Sequence, residues 1–342
     1  MLRDRTLFIV GAGASKEFDF PVGSELAAQI AKKLDVRFEG FNQPVGAGDF
    51  GLFEAIKQAG GGNANLLQAA CWLIRDGIEL SYSIDNFIDT HRHDQRVELC
   101  GKLAIAKCIL DAEKASKLHV DRNVDDTNPS LKATGTWITS LIRVMQNGVP
   151  KDQISRFFDN SSFIVFNYDR CIEHYFYNAL QALYGITEAE SAAVVSTMVI
   201  HHPYGSVGAL PWQDRSNLKA VTFGSRDSSR VIGPLLPNIK TYTEQNESGE
   251  DQAIISSLVD EADTIVFLGF SYLAQNLDLL LRRVNGRRLR RVIGTGIGLS
   301  TADREIVSNA LSVLTIEGAS TPIIEQLKCG DLISQYGRFL GR

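Results

Sequence analysis

Residues 7–15 read Leu7-Phe8-Ile9-Val10-Gly11-Ala12-Gly13-Ala14-Ser15. The apolar run has no alternation, which suits a parallel strand covered on both faces, and it ends in a glycine-rich turn. Phe20-Pro21-Val22-Gly23 follows, and Ser24 as N-cap with Glu25 in the first turn predicts a helix to about Leu34. The same unit returns at Phe163-Ile164-Val165-Phe166, which runs into Asn167-Tyr168-Asp169 and then a helix with Ile172, Tyr175, Phe176 and Leu180 on its apolar face. Strand-like runs at 197–200, 221–223, 264–268, 291–293 and 311–316 alternate with helical stretches. Strands alternating with helices behind glycine-rich turns predict an α/β fold, a Rossmann-like doubly wound parallel sheet.

One stretch breaks the alternation. Residues 38–62 are rich in glycine and read as a loop around one short helix near Leu52 to Ala59. From 63 to 147 apolar residues recur at helical spacing, as in Leu66, Leu67, Ala70 and Cys71 or Trp137, Ile138, Leu141 and Ile142, with no clear strand. Residues 38–150 are therefore expected to form a mainly helical insertion within a single domain spanning 1–342. The polar, acidic segment 246–251 is expected as a surface loop.

Of the 342 residues, 44% are hydrophobic and 22% charged, which excludes disordered and low-complexity classes and leaves ample apolar surface for a core. A net charge of -5 gives no bulk attraction to nucleic acid. No apolar run approaches the ~18 residues of a membrane helix, and the N-terminal stretch lacks a cleavage signature, so a soluble, cytoplasmic chain without a signal peptide is expected. Five dispersed cysteines (Cys71, Cys100, Cys108, Cys171 and Cys329) contain no C-x-x-C pair, which argues against both a disulfide framework and a four-cysteine zinc site. No metal is expected.

Open parallel sheets bind ligands at the carboxyl ends of their strands. Four segments fall there: Gly11 to Ser15, Asn167 to Asp169, His201-His202-Pro203-Tyr204-Gly205-Ser206, and Gly269-Phe270-Ser271. The first turn can offer backbone N–H groups to a pyrophosphate, although Lys16 stands where the third glycine of G-x-G-x-x-G belongs and no Walker lysine is present. A tight turn without a ligand explains a lone G-x-G equally well. Asp169 can equally serve as a helix cap, with Asn167 satisfying loop backbone.

Taken in order, these segments resemble the sirtuin-like family. Phe8 to Ser15 with Phe20 to Gly23 resembles its GAGxS cofactor loop and the turn that follows. Phe166-Asn167-Tyr168-Asp169-Arg170 with Glu173 is similar to its asparagine/aspartate motif as bacterial antiphage-defence members carry it. Ser83-Ile84-Asp85-Asn86-Phe87-Ile88 resembles a segment within the helical part of those members, and Ile265 to Ser271 a later strand and G-x-S turn. The cysteine pairs of the deacylases' zinc module are missing, a helical insertion stands instead, and the acidic and arginine residues expected after the Gly/Pro turn are replaced by Ser24-Glu25-Leu26. The pattern is therefore closer to NAD⁺-depleting hydrolases than to protein deacylases.

The resemblance implies hydrolysis of the nicotinamide–ribose bond of NAD⁺, which is substrate rather than resident cofactor. It implies Asn167, Asp169 and a histidine as catalytic residues, and Gly11, Ala12, Gly13, Ala14, Ser15, Phe20, Pro21, Asn167, Asp169, Gly269 and Ser271 as the dinucleotide's contacts. The family's His-Gly is spread here over His202-Pro203-Tyr204-Gly205, so His202 is favoured as general base, with His201 and Tyr204 left open; a tyrosine of pKa near ~10 is a poor base at neutral pH. The resemblance also implies homo-oligomers and, in some members, a HerA-type ATPase partner. A non-catalytic NAD⁺- or ADP-ribose-binding subunit is the alternative reading. Six arginines (Arg282, Arg283, Arg287, Arg288, Arg290 and Arg291) are expected as a solvated helix end rather than a nucleic-acid patch.

Overall fold

A computed structural model of the chain describes every residue except 40–42, 122–124, 126, 215–219, 226–227, 243, 245–248, 283–289, 317–319 and 342. Six parallel strands form one sheet: β1 (Thr6–Val10), β4 (Ser161–Val165), β5 (Val199–His201), β6 (Thr264–Leu268), β7 (Arg291–Thr295) and β8 (Ile323–Glu325), ordered β5-β4-β1-β6-β7-β8. Numbered along the chain, those six strands lie 3-2-1-4-5-6, the order of the doubly wound dinucleotide-binding sheet. β1 is the central strand, paired with β4 through Phe8↔Phe163 and with β6 through Phe8↔Val266. Leu7, Phe8, Ile9 and Val10 are all buried, because helices cover both faces and no side of the strand needs polar residues.

The insertion departs from purely helical. A two-stranded antiparallel ribbon, β2 (Arg37–Glu39) with β3 (Gln43–Val45), precedes the helices Phe50–Gly60, Ala64–Gly77, Ile84–Thr90, Gln95–Ala115 and Trp137–Gln146. The helix Gln95–Ala115 runs through the interior of this layer, and even Lys102 and Lys107 are buried on it. Their ammonium groups reach carboxylates, Lys102 to Glu244 at 2.8 Å and Lys107 to Asp111 at 2.6 Å, so the stems pack while the charges stay paired. The insertion is fastened to the sheet by Trp137, whose indole donates to Ala14 O at 3.1 Å, and by Glu17, whose carboxylate accepts from Trp137 N and Gly330 N.

Several boundaries differ from the sequence reading. The helix expected from Ser24 spans Gly23–Leu34 with Val22 at its cap, because the Glu25 carboxylate reaches back to the Val22 N–H. Residues 221–223 form no strand; Val221 N–H bonds to Ala209 O instead. Residues 311–314 continue as helix and 3-10 turn, with Leu311 and Leu314 buried three apart, and the edge strand is β8. Within 246–251, residues 249–251 open the helix Gly249–Glu261, and 246–248 lie outside the described residues. Arg283, Arg287 and Arg288 also lie outside them. Of the other arginines, Arg290 is not on a solvated face at all. It is fully buried, donating to the carbonyls of Ala262, Leu314 and Asp260, whereas Arg291 lies over the Phe339 ring. All five cysteines are free and buried. No described helix is long and apolar enough to cross a membrane.

Candidate functional site

The glycine-rich turn at the end of β1 faces two ways. On the β6 side, Gly11 N–H donates to Leu268 O and Gly13 N–H to Gly269 O, both at 2.9 Å, while Ala14 N–H closes the turn on Gly11 O. A Cβ on Gly11 would come within 2.6 Å of Gly269 O, and one on Gly13 within 2.8 Å of Gly269 Cα. These glycines are therefore required by the close approach of the β6 turn. The N–H groups of Gly11, Gly13 and Ala14 bond to protein carbonyls. Gly269 is held there at φ +57° with its N–H on Thr295 Oγ1, and Ser271 is exposed beyond it.

On the β4 side the turn delivers Ser15. Its hydroxyl donates to Asp169 Oδ2 at 2.7 Å and accepts from Asn167 Nδ2 at 2.9 Å. Asp169 Oδ1 accepts from Cys171 N–H at 3.1 Å, so Asp169 caps the helix Cys171–Tyr184 and joins the Ser15 relay at once. All three side chains are buried. They line a cavity of about 100 Å³ together with Ala12, Phe20, Pro21 and Tyr168, and the insertion contributes Ser83, Ile84, Asp85 and Ile109 to its lining. Of the dinucleotide contacts expected from sequence, Ala12, Ser15, Phe20, Pro21, Asn167 and Asp169 meet here; Gly11, Gly13, Ala14, Gly269 and Ser271 do not line the cavity.

Nor do the three candidates for general base. His202 sits behind Asn167: its Nδ1 meets Asn167 O and its Nε2 meets Glu173 Oε1, each at 3.1 Å. A carbonyl oxygen only accepts, so Nδ1 carries a proton. Burial alone would lower the imidazole's pKa, but the Glu173 carboxylate and the Asn167 carbonyl outweigh it and the net shift is upward, favouring an imidazolium that donates from both nitrogens. His201, one residue earlier on β5, points the other way, with Nε2 at 3.7 Å from Asp251 Oδ1 and its pKa lowered by burial. Tyr204 donates to Asn276 Oδ1 at 2.7 Å, and burial raises its hydroxyl pKa far above the neutral range.

His202 thus holds the Asn167 main chain in place rather than lining the cavity. The folded protein binds the His202 proton more tightly than the unfolded chain, so this contribution to stability is full below the unfolded pKa of about 6.5 and fades as pH rises through the higher folded value. Urea unfolding of wild type should accordingly lose more stability between pH 6 and pH 8 than unfolding of His202→Asn. Equal losses in the two proteins would remove the ion pair from the account.

One ionisable group at the cavity was not among the residues expected to act. Asp85 accepts a hydrogen bond from the Tyr168 hydroxyl. The residue as a whole is half-buried, yet its carboxyl sits deep enough that burial pushes its pKa up to about 6 against the opposing pull of that hydrogen bond. The clue in the sequence was the Ser83-Ile84-Asp85 segment, legible as a resemblance without a role. Behind the cavity, Arg170 and Glu113 form a fully buried pair, Nη2 to Oε2 at 2.6 Å and Nε to Oε1 at 2.9 Å, and Arg170 Nη1 also donates to Val221 O. The described residues contain no cluster of three or more metal-ligating side chains. A scan of the chain against protein-family models finds no match, and a search of curated proteins finds none.

Proposed function

We propose that the chain is an NAD⁺ hydrolase that breaks the nicotinamide–ribose bond to give nicotinamide and ADP-ribose. Water adds to the anomeric carbon, the C–N bond breaks with its electron pair on nicotinamide, and one proton is released. Nicotinamide leaves neutral from a cationic precursor, so the site needs no general acid. It must stabilise an oxocarbenium-like ribose and orient a water. The observation that carries this reading is the Ser15–Asn167–Asp169 relay buried in one cavity at the ends of β1 and β4. The relay fixes the Asn167 amide through its nitrogen and leaves the amide oxygen for a ribose hydroxyl or the water. The Asp169 carboxylate lies where developing positive charge is stabilised by a fixed negative group. The sirtuin-like resemblance points the same way and brings with it a cytoplasmic role in antiphage defence by NAD⁺ depletion, assembly into homo-oligomers and a HerA-type ATPase partner.

The test is release of free nicotinamide from NAD⁺ by the full chain, with and without such a partner. Asn167→Ala should lower the rate by about 10² or more, the scale of a removed orienting and electrostatic group, without changing the melting temperature appreciably. A variant retaining most of the activity would remove Asn167 from the chemistry. A second reading, a subunit that binds NAD⁺ or ADP-ribose without turnover, is favoured by the absence of His201, His202 and Tyr204 from the residues lining the cavity. ADP-ribose binding by calorimetry with no nicotinamide release would establish it.

A further inference from the structure

If NAD⁺ is hydrolysed here, the attacking water needs a base, and none of the three residues expected to provide one lines the cavity. Two carboxyl groups do line it. Asp169 is committed, one oxygen to Cys171 N–H and the other to Ser15. Asp85 lines it from the insertion, and its donors are the Tyr168 hydroxyl and its own main-chain N–H, neither of them charged. We propose that Asp85 is the catalytic base of this site, which makes the helical insertion part of the active centre rather than a cover for it. This rests on the NAD⁺ hydrolase reading.

A carboxylate oxygen of Asp85 takes a proton from water as the water oxygen bonds to the anomeric carbon; the C–N bond breaks and its pair leaves on nicotinamide; Asp85 then returns the proton to solvent. The titratable groups near Asp85 are Tyr168 and Tyr204, Asp169 lines the same cavity, and Glu244, near Tyr168, is ion-paired with Lys102 at 2.8 Å. With no cation acting on it among these, a buried carboxylate keeps the higher basicity that proton abstraction near neutral pH requires. Tyr168 orients the carboxyl and stabilises its charged form by donating to it.

The experiment compares wild type, Asp85→Asn, Asp85→Ala and Tyr168→Phe for nicotinamide release, for ADP-ribose affinity and for melting temperature against pH. In wild type, kcat/KM should rise with pH along a limb near pH 6. Asp85→Asn should lose about 10²–10⁴ in kcat while ADP-ribose affinity stays within a few-fold. Formate should restore part of the Asp85→Ala activity, which a structural role would not allow. Tyr168→Phe should move the limb to higher pH, because the charged carboxylate loses its donor.

Stability offers a readout independent of turnover. Folding raises the Asp85 pKa from the ordinary ~3.9 to about 6, so stability is lost as pH rises between those values and the full cost is present above about pH 6. Asp85→Asn should therefore melt higher than wild type at pH 8 and close to it at pH 4. Asp85→Asn retaining more than about a tenth of wild-type kcat, or melting lower at pH 8, overturns the proposal and leaves the hydrolase reading standing. Wild type that binds ADP-ribose but releases no nicotinamide overturns both.

Discussion

Gly269→Ala should destabilise the chain by about 2–5 kcal/mol, the sum of a left-handed backbone forced on an L residue (about 1–2 kcal/mol) and an overpacked contact (about 1–3 kcal/mol). Gly269 lies at φ +57°, and a Cβ placed on it would collide with Ala14 N and with the carbonyl carbon and Cα of Gly13. All three are main-chain atoms, which cannot rotate aside as a side chain would. Relief requires β6 and β1 to separate at their carboxyl ends, and that breaks the Gly13 N–H to Gly269 O bond. Gly298 supplies the control: its φ is +83° but nothing stands within 4 Å of its Cβ position, so Gly298→Ala isolates the backbone term. Chemical denaturation of both variants measures the difference. If Gly269→Ala is no less stable than Gly298→Ala, the contact is softer than its geometry implies. Because the displaced turn carries Ser15, Gly269→Ala should also disturb the Ser15–Asp169 hydrogen bond and with it any activity of the site.

That pair of turns shows what a sequence can and cannot disclose. The run Leu7 to Val10 and the turn after it are local signals: an unbroken apolar stretch and two small residues need no distant information to read as a buried parallel strand and its end. The reason for the glycines is not local. Their partner is Gly269, some 250 residues away, and only the folded sheet shows that they admit a neighbouring turn. The same separation explains the histidines. A His-His pair at the end of β5 offers basic side chains near a site, but which face each takes depends on Glu173 and Asp251, contributed by different helices. Asp85 was harder still, since a carboxylate on a polar-looking segment carries no mark of burial; its environment is made by Tyr168. The edge strand β8 was missed because three residues, Ile323–Glu325, give too short a pattern to separate from a loop.

Glu113→Gln should cost about 3–5 kcal/mol, because it leaves the Arg170 guanidinium buried without a counter-charge. Both side chains are at most 1% exposed, and the pair joins the insertion helix Gln95–Ala115 to the residue following Asp169. Glu113 also accepts from Gly224 N–H at 3.2 Å and Arg170 also donates to Gly208 O and Val221 O, so the pair holds these three residues. The double variant Glu113→Leu with Arg170→Met removes both charges and should recover a large part of the stability lost by the single change, since an ion pair of this kind contributes little beyond an apolar replacement of similar volume. Urea titrations of Glu113→Leu, Arg170→Met and the double variant give the coupling directly, and additive losses would refute it. Function should follow differently from stability. The double variant keeps a packed interior but loses the guanidinium that ties Arg170 to the Val221 carbonyl, and Arg170 is the next residue after Asp169. Its nicotinamide release should therefore stay well below wild type even where its fold is restored, which separates the part of this pair that holds the chain together from the part that aims the carboxylate.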